Sequence, residues 1–293
     1  MVERKVWLAF LLLALAWGTS FMFIKIAVQT LQPVTVVAWR LAIGSLGLLA
    51  VLRLRNVQMP RKARIWRHIA VIGLVNVAIP FVLIVWAESG AQGLDSGVAS
   101  IVNSTVPLFS IVIAGLFMRM ERVTGTAVFG LLAGFGGVVL LMSRDAQGSR
   151  DSWLPYLAVL VAAFCYAAGS AYARRYLRGV APVALALGQL AIAAAIVFVA
   201  SLVVESWSAQ AFPLPTVLAL LWLGLVGSTL AYILYFFVLQ QWGATRTTLV
   251  TYLVPVVGLS AGILFLNEPF DWRLLAGGGL ILSGVATVNL RPA

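Results

Sequence analysis

About twenty mostly apolar residues let a helix cross the hydrocarbon core of a bilayer, and this chain of 293 residues offers such a stretch ten times. The stretches fall near 6–28, 34–53, 67–87, 97–118, 124–143, 153–174, 183–204, 215–241, 246–266 and 272–290, with joining loops mostly too short for an extramembrane domain. Inside lipid every backbone N–H and C=O needs an internal partner, so stretches of this kind become helices. The chain is 62% hydrophobic and 10% charged, whereas soluble domains are about half apolar and about a quarter charged. The expected fold is therefore an all-α integral membrane protein with ten transmembrane helices. The first stretch is longer than a signal-peptide core and lacks an obvious small-residue cleavage site, so it reads as a retained span. Cys165 is the one cysteine, which excludes an internal disulfide and a cysteine-based metal site.

The net charge of +11 would point to nucleic acid in a soluble protein. Here it follows the loops. With the N-terminus inside, fifteen Lys and Arg residues fall in inner segments, many of them between Arg53 and Arg67. The outer segments hold Arg144, Arg150 and Arg273, and Lys25 and Arg40 lie within spans. The positive-inside rule then puts both termini in the cytoplasm. A weak internal repeat is also present. Trp17, Lys25, Pro33 and Arg40 recur 149 residues later as Tyr166, Arg174, Pro182 and Gln189, and Pro107 recurs 148 residues later as Pro255. Glu121, Gly130 and Gly137 recur at a spacing of 147 as Glu268, Gly277 and Gly284. Each half, 1–146 and 150–293, then carries five spans, and an odd number requires the two five-helix repeats to be inverted. Inverted repeats recur among secondary transporters, with the substrate site at the repeat interface. The hydrophilic 143–153 segment is the expected hinge between the halves.

The segment WGTSFMFIKIAV (17–28), followed by Pro33 and Arg40, resembles the opening of an EamA repeat. Pro107, Glu121 and GLLAGFGGVVL (130–140) resemble its close, and Pro255, NEPF (267–270) and GGGLILSGV (277–285) resemble a second close. The second opening departs from the first at Tyr166, Gly169 and Gln189, which stand where Trp17, Ser20 and Arg40 stand in the first. The resemblance covers nearly the whole chain and implies a ten-helix exporter of the drug/metabolite transporter superfamily, multi-pass in a bacterial cytoplasmic (inner) membrane. Among such exporters the sequence is most similar to those with a broad range of amino acids, aromatic ones included. Another metabolite, a nucleoside, a drug or a lipid-like solute is the alternative cargo.

Three prolines sit at mid-membrane depth, each four residues after a polar one: Asn76/Pro80, Asn103/Pro107 and Thr251/Pro255. Proline cannot donate to the carbonyl at i−4, and a freed carbonyl in lipid is tolerated where side chains, neighbours or water satisfy it. These pairs are expected to line a cavity; the competing reading is of kinks satisfied by adjacent helices. Trp17, Tyr166, Tyr232 and Tyr252 lie at similar depth, away from the interfaces such rings prefer. With Ser20 they complete the expected cavity lining. Arg40 offers a planar grip on an anion, or else snorkels to headgroups, as is expected of Lys25. Trp86 and Trp153 read as belt residues, and Gly130, Gly134, Gly137, Gly277 and Gly284 as small faces for close helix packing.

The nine acids fall at span ends, in loops or in the N-terminal segment, and His68 opens the third span. No proton relay within the membrane is evident from those positions, so facilitated flow by alternating access is expected. Glu121 and Glu268 read as interfacial structural residues. An intramembrane enzyme would need a nucleophile with a base or a metal, and one peripheral histidine with no acid expected to be buried supplies neither. The expected partners are a small-molecule substrate and membrane lipid, with no cofactor, metal or nucleic acid; monomer and homodimer are both open.

Overall fold

The structure, a computed structural model, describes residues 2–91, 93–113, 125–145, 153–207 and 211–289. Arg119, Glu121, Arg122, Arg150, Arg291 and most of the expected hinge lie outside the described residues. Among the described residues all regular structure is helical. The helices are α1 (Val2–Ala27), α2 (Pro33–Leu54), α3 (Ala63–Gly73), α4 (Ile79–Ala87), α5 (Ser96–Asn103), α6 (Val106–Val112) and α7 (Gly125–Asp145). They continue as α8 (Leu154–Tyr176), α9 (Pro182–Val204), α10 (Leu214–Leu221), α11 (Ala231–Thr247), α12 (Val250–Leu266) and α13 (Trp272–Asn289).

Among the described residues six helical stretches are long and apolar enough to span a bilayer: Glu3–Ala27, Pro33–Leu54, Ala63–Ala87, Leu154–Tyr176, Pro182–Val204 and Leu214–Gly243. Ser96–Val112, Val128–Arg144 and Val250–Leu266 are shorter apolar helices. Leu132, Leu264 and Phe265 are each at least 70% exposed on the outside of the bundle. Large side chains displayed in this way suit hydrocarbon, not water.

Prolines at the first helical positions start α2, α6, α8, α9 and α10, where the missing N–H costs little. Two spans widen into π-helical turns, Leu74–Ala78 between α3 and α4 and Trp222–Leu230 between α10 and α11. Their starts lie 148 residues apart, the offset that relates Pro107 to Pro255. Pro80 accounts for the first turn, because the carbonyl four residues earlier has lost its donor. The second has no proline. There the hydroxyls of Ser228 and Thr229 donate to the carbonyls of Leu223 (2.9 Å) and Gly224 (3.2 Å), five residues back.

The expected continuous span over 97–118 is broken at 104–105, between α5 and α6. The Ser104 and Thr105 hydroxyls donate to the carbonyls of Ile101 (2.6 Å) and Val102 (2.8 Å), so they close the break locally. In the packed bundle α2 lies along α9, α7 along α13, α1 along α12, and α4 along α8.

Candidate functional site

Arg40 does not snorkel. It is 7% exposed, with its guanidinium carbon 4.4 Å from the centre of the Phe81 ring. Its Nε donates to Ser228 Oγ (3.3 Å) and its Nη2 to the Gly227 carbonyl (3.4 Å). Both acceptors belong to the second π turn, which aims them across the bundle at α2. Among the described residues no carboxylate lies within 4.0 Å of Arg40. The cation is held by two neutral oxygens and an aromatic face, an arrangement that stabilises its charge but leaves it formally unneutralised.

The residues around it come from both halves of the chain. Phe81 meets Tyr166 edge-on at 6.4 Å. On α9, Gln189 donates through Nε2 to the Tyr232 hydroxyl (3.3 Å) and accepts from Asn76 Nδ2 (3.4 Å). Asn76 sits in the first π turn, and its buried Oδ1 has no hydrogen-bond partner. Tyr232 stacks on Phe236 at 6.1 Å, Phe236 meets Tyr235 at 5.3 Å, and Tyr235 lies 5.7 Å from Trp17. Close approach depends on small residues. A Cβ on Gly227 would strike Ser20 Oγ, and one on Gly169 would strike Asn76. Trp17, Ser20, Arg40, Asn76, Tyr166 and Tyr232 therefore share one neighbourhood, with Pro80 buried at the start of α4 beside it.

The other expected lining residues lie elsewhere. Tyr252 packs with Ile111 and Leu131 around Leu108 and Val285. The Thr251 hydroxyl donates to the Thr248 carbonyl (2.7 Å) in the first turn of α12, and Pro255 is buried within that helix. Pro107 is buried at the start of α6, and Asn103 is half-buried with an unpartnered Oδ1. A separate apolar cleft of about 480 Å³ between α2 and α9, with Ser45, Leu49, Trp66 and Leu187 among its walls, contains none of the expected site residues. Sequence reasoning missed Phe81, Gln189 and Ser228 as site residues. Gln189 was findable as the repeat counterpart of Arg40, and Ser228 through the polar Gly-Ser-Thr run in an apolar span.

One end of the bundle is stitched by carboxylates and cations. Glu205 accepts from the Val34 and Thr35 backbone N–H groups, both at 2.7 Å, and from the Thr35 hydroxyl, capping α2. Glu268 caps α5 in the same way through Ser96 N (2.7 Å) and Gly97 N (3.1 Å), after Asn267 turns the chain at φ 55°. Arg144 pairs with Asp95 at 2.6 Å. Two expectations are corrected at this end. Lys25 does not reach for headgroups: its Nζ donates to the carbonyls of Glu88 (3.0 Å), Gly93 (3.3 Å) and Leu94 (2.9 Å), because the 88–94 turn folds back over it. Glu88 lies at a span end along the chain, as expected, yet the fold leaves it 0% exposed. The absence of an evident proton-binding group, read from chain position alone, does not survive that burial.

Apolar spans, an outward lipid-suited face and a buried polar–aromatic cluster between helices define a polytopic membrane protein. A sequence model of the EamA-like transporter family matches residues 4–143 and again 153–290, so the chain belongs to that family. It is 26% identical to an "Uncharacterized transporter" of Archaeoglobus fulgidus, over 97% of this chain and 98% of the relative. It is 29% identical to the "Uncharacterized inner membrane transporter YedA" of Escherichia coli K12, over 95% and 88%. It is 25% identical to a "Probable amino-acid metabolite efflux pump" of the same organism, over 97% and 94%. A solved structure titled "Crystal structure of protein" superposes with a TM-score of 0.69 at 20% identity, covering 97% of both chains, and establishes the fold alone.

Proposed function

We propose that this transporter exports small amphipathic metabolites, neutral and aromatic amino acids first, across a bacterial cytoplasmic membrane by alternating access. The observation that carries the substrate class is Arg40, a buried cation that among the described residues has no carboxylate within 4.0 Å, Glu88 acting on it only from beyond that distance. Phe81 lies against it, Tyr166 and Tyr232 are near it, and Tyr232 is joined through Gln189 to Asn76. A substrate carboxylate would complete the charge on Arg40, and an apolar or aromatic side chain would lie against the rings. The name of the E. coli efflux-pump relative points the same way.

The architecture proposed is two inverted five-helix repeats, 1–146 and 150–293, with both termini cytoplasmic. The double match of one family model supports it. So does the packing: α2 meets its counterpart α9, α7 meets α13, and the contact of α1 with α12 is mirrored by that of α8 with α5 and α6. The two π turns, at equivalent positions, face the cluster from opposite halves.

The test is purified protein in liposomes offered a panel of labelled solutes. Uptake of phenylalanine and other neutral amino acids is the expected result. Uptake confined to nucleosides, drugs or lipid-like solutes would replace the substrate class, and no flux of any solute would remove the transport reading for this chain.

A further inference from the structure

Glu88, just beyond the end of α4, is wholly buried, and neither of its carboxylate oxygens has a hydrogen-bond partner. The cation with the strongest pull on it is Lys25, on α1. An ammonium has three N–H donors, and all three Lys25 hydrogen bonds go to backbone carbonyls of the 88–94 turn. Lys25 therefore fixes the turn that carries Glu88 without bonding its carboxylate. The charged groups that face Glu88 are Lys25, Arg40 on α2, and Glu268 in the turn after α12. Glu268 spends its oxygens on the N-terminus of α5 and adds repulsion. An ionised carboxylate buried without partners is expensive, and such a group takes up a proton instead. Burial pushes the Glu88 carboxyl well above the usual carboxylate range; Lys25 opposes this, Glu268 reinforces it, and Arg40 opposes it.

We infer that Glu88 is a proton-binding site whose occupancy belongs to the conformer in which this end of the bundle is closed. The balance is simple. When the helices close, one proton from the adjoining water joins a Glu88 carboxylate oxygen, giving the neutral acid. When the end opens, the Glu88, Gly93 and Leu94 carbonyls part from Lys25, water reaches Glu88, and the proton leaves to it, with the ammonium free to face the carboxylate. Closure at this end therefore carries a proton, and conformational exchange depends on pH at that face. Other acids at the same end have partners. Glu205 accepts three hydrogen bonds and Glu268 two, and Asp95 is paired with Arg144.

The direct test is infrared spectroscopy of the purified chain, which reads a protonated carboxyl by its C=O stretch and does not depend on transport. Wild type should show one such group persisting at a pH where ordinary carboxyls are ionised, and Glu88→Gln should lack it. No protonated carboxyl in wild type at that pH, or an unchanged band in Glu88→Gln, overturns the site. If Glu88→Gln does not fold, Glu88→Asp serves, since it should shift the band rather than abolish it; an unmoved band again overturns the assignment. The second arm rests on the transport reading. Substrate exchange in liposomes should fall about tenfold per pH unit above the midpoint for a one-proton step and become flat in Glu88→Gln; an identical slope in the two proteins overturns the coupling. Absence of all flux would strike the transport reading, and the infrared result would still decide the proton site.

Discussion

Helices α7 and α13 meet through glycines, and the contact is tight enough to give a stability prediction. A Cβ on Gly137 would lie 2.5 Å from the Gly277 carbonyl oxygen and 3.0 Å from the Ile281 nitrogen. A Cβ on Gly284 would strike the Gly130 carbonyl and lie 2.8 Å from the Gly134 nitrogen. These are backbone atoms, so no rotamer change relieves the clash. Restoring an ordinary contact requires the helices to separate by about 1 Å, and overpacking of that kind costs about 1–3 kcal/mol. Gly136 and Gly279 lie on the same two helices with nothing within 4 Å of the added atom. All four sites are helical, so the gain of about 0.8–1.0 kcal/mol in helix propensity on changing Gly to Ala cancels in a matched comparison. Gly137→Ala and Gly284→Ala should therefore melt below Gly136→Ala and Gly279→Ala by about 2–4 °C per kcal/mol of clash. Thermal melting of detergent-purified protein, followed by fluorescence, measures it. Indistinguishable melting temperatures for the two pairs would refute close contact between these helices.

Three further outcomes follow from named contacts. Asn103→Leu removes a buried, unpartnered oxygen while Ser104 and Thr105 continue to close the helix break, so melting should hold or rise, and liposome flux should hold with it because Asn103 lies apart from the Arg40 cluster; a lower melt would refute the reading of that oxygen as unpartnered. Glu205→Ala strips the cap from α2, and loss of an N-cap costs about 1–2 kcal/mol, read as an earlier melt that added salt does not abolish. Thr229→Val removes the hydroxyl that donates to the Gly44 and Gly224 carbonyls across α2 and the second π turn; a lost hydrogen bond costs about 0.5–1.5 kcal/mol, and melting should drop accordingly.

How much of this could be read from the chain depends on what each feature requires. Helical spans follow from apolar length alone, and Pro80 gives away the first π turn because a missing N–H is a fact of sequence. The second π turn is invisible in that way: it is stabilised by hydroxyls reaching five residues back, and Ser228 and Thr229 could equally have bonded one turn nearer. Depth along a span was legible, but facing was not. Tyr232 and Tyr252 sit at similar depth, yet one joins Gln189 and the other packs against Leu108 and Val285, because breaks and π turns reset the helical phase that would have assigned their faces. Glu88 and Lys25 were misread for a related reason. Their chain positions mark a span end, and only the folded 88–94 turn converts that end into an interior.

Arg40 and Gln189 stand at equivalent positions of the two openings, and the helices that carry them, α2 and α9, pack along one another. Arg40 acts electrostatically on Tyr166 and Tyr232, while Gln189 bonds Tyr232 directly. Both side chains therefore open on the same neighbourhood from opposite halves, and the proposed inversion of the repeats makes a demand that a chance meeting would not. Exchanging the two should move the cation across the site without removing it. Arg40→Gln alone should weaken carboxylate-bearing substrates by about tenfold or more, the loss of one charge-assisted contact. The double variant Arg40→Gln/Gln189→Arg should recover a substantial part of that affinity, with altered preference among side chains because Phe81 no longer faces the guanidinium. Competition of labelled substrate by unlabelled amino acids, measured on both variants at matched folding, is the assay. A double variant no better than Arg40→Gln would mean that position 189 does not see the bound carboxylate, and the shared site would fail with it.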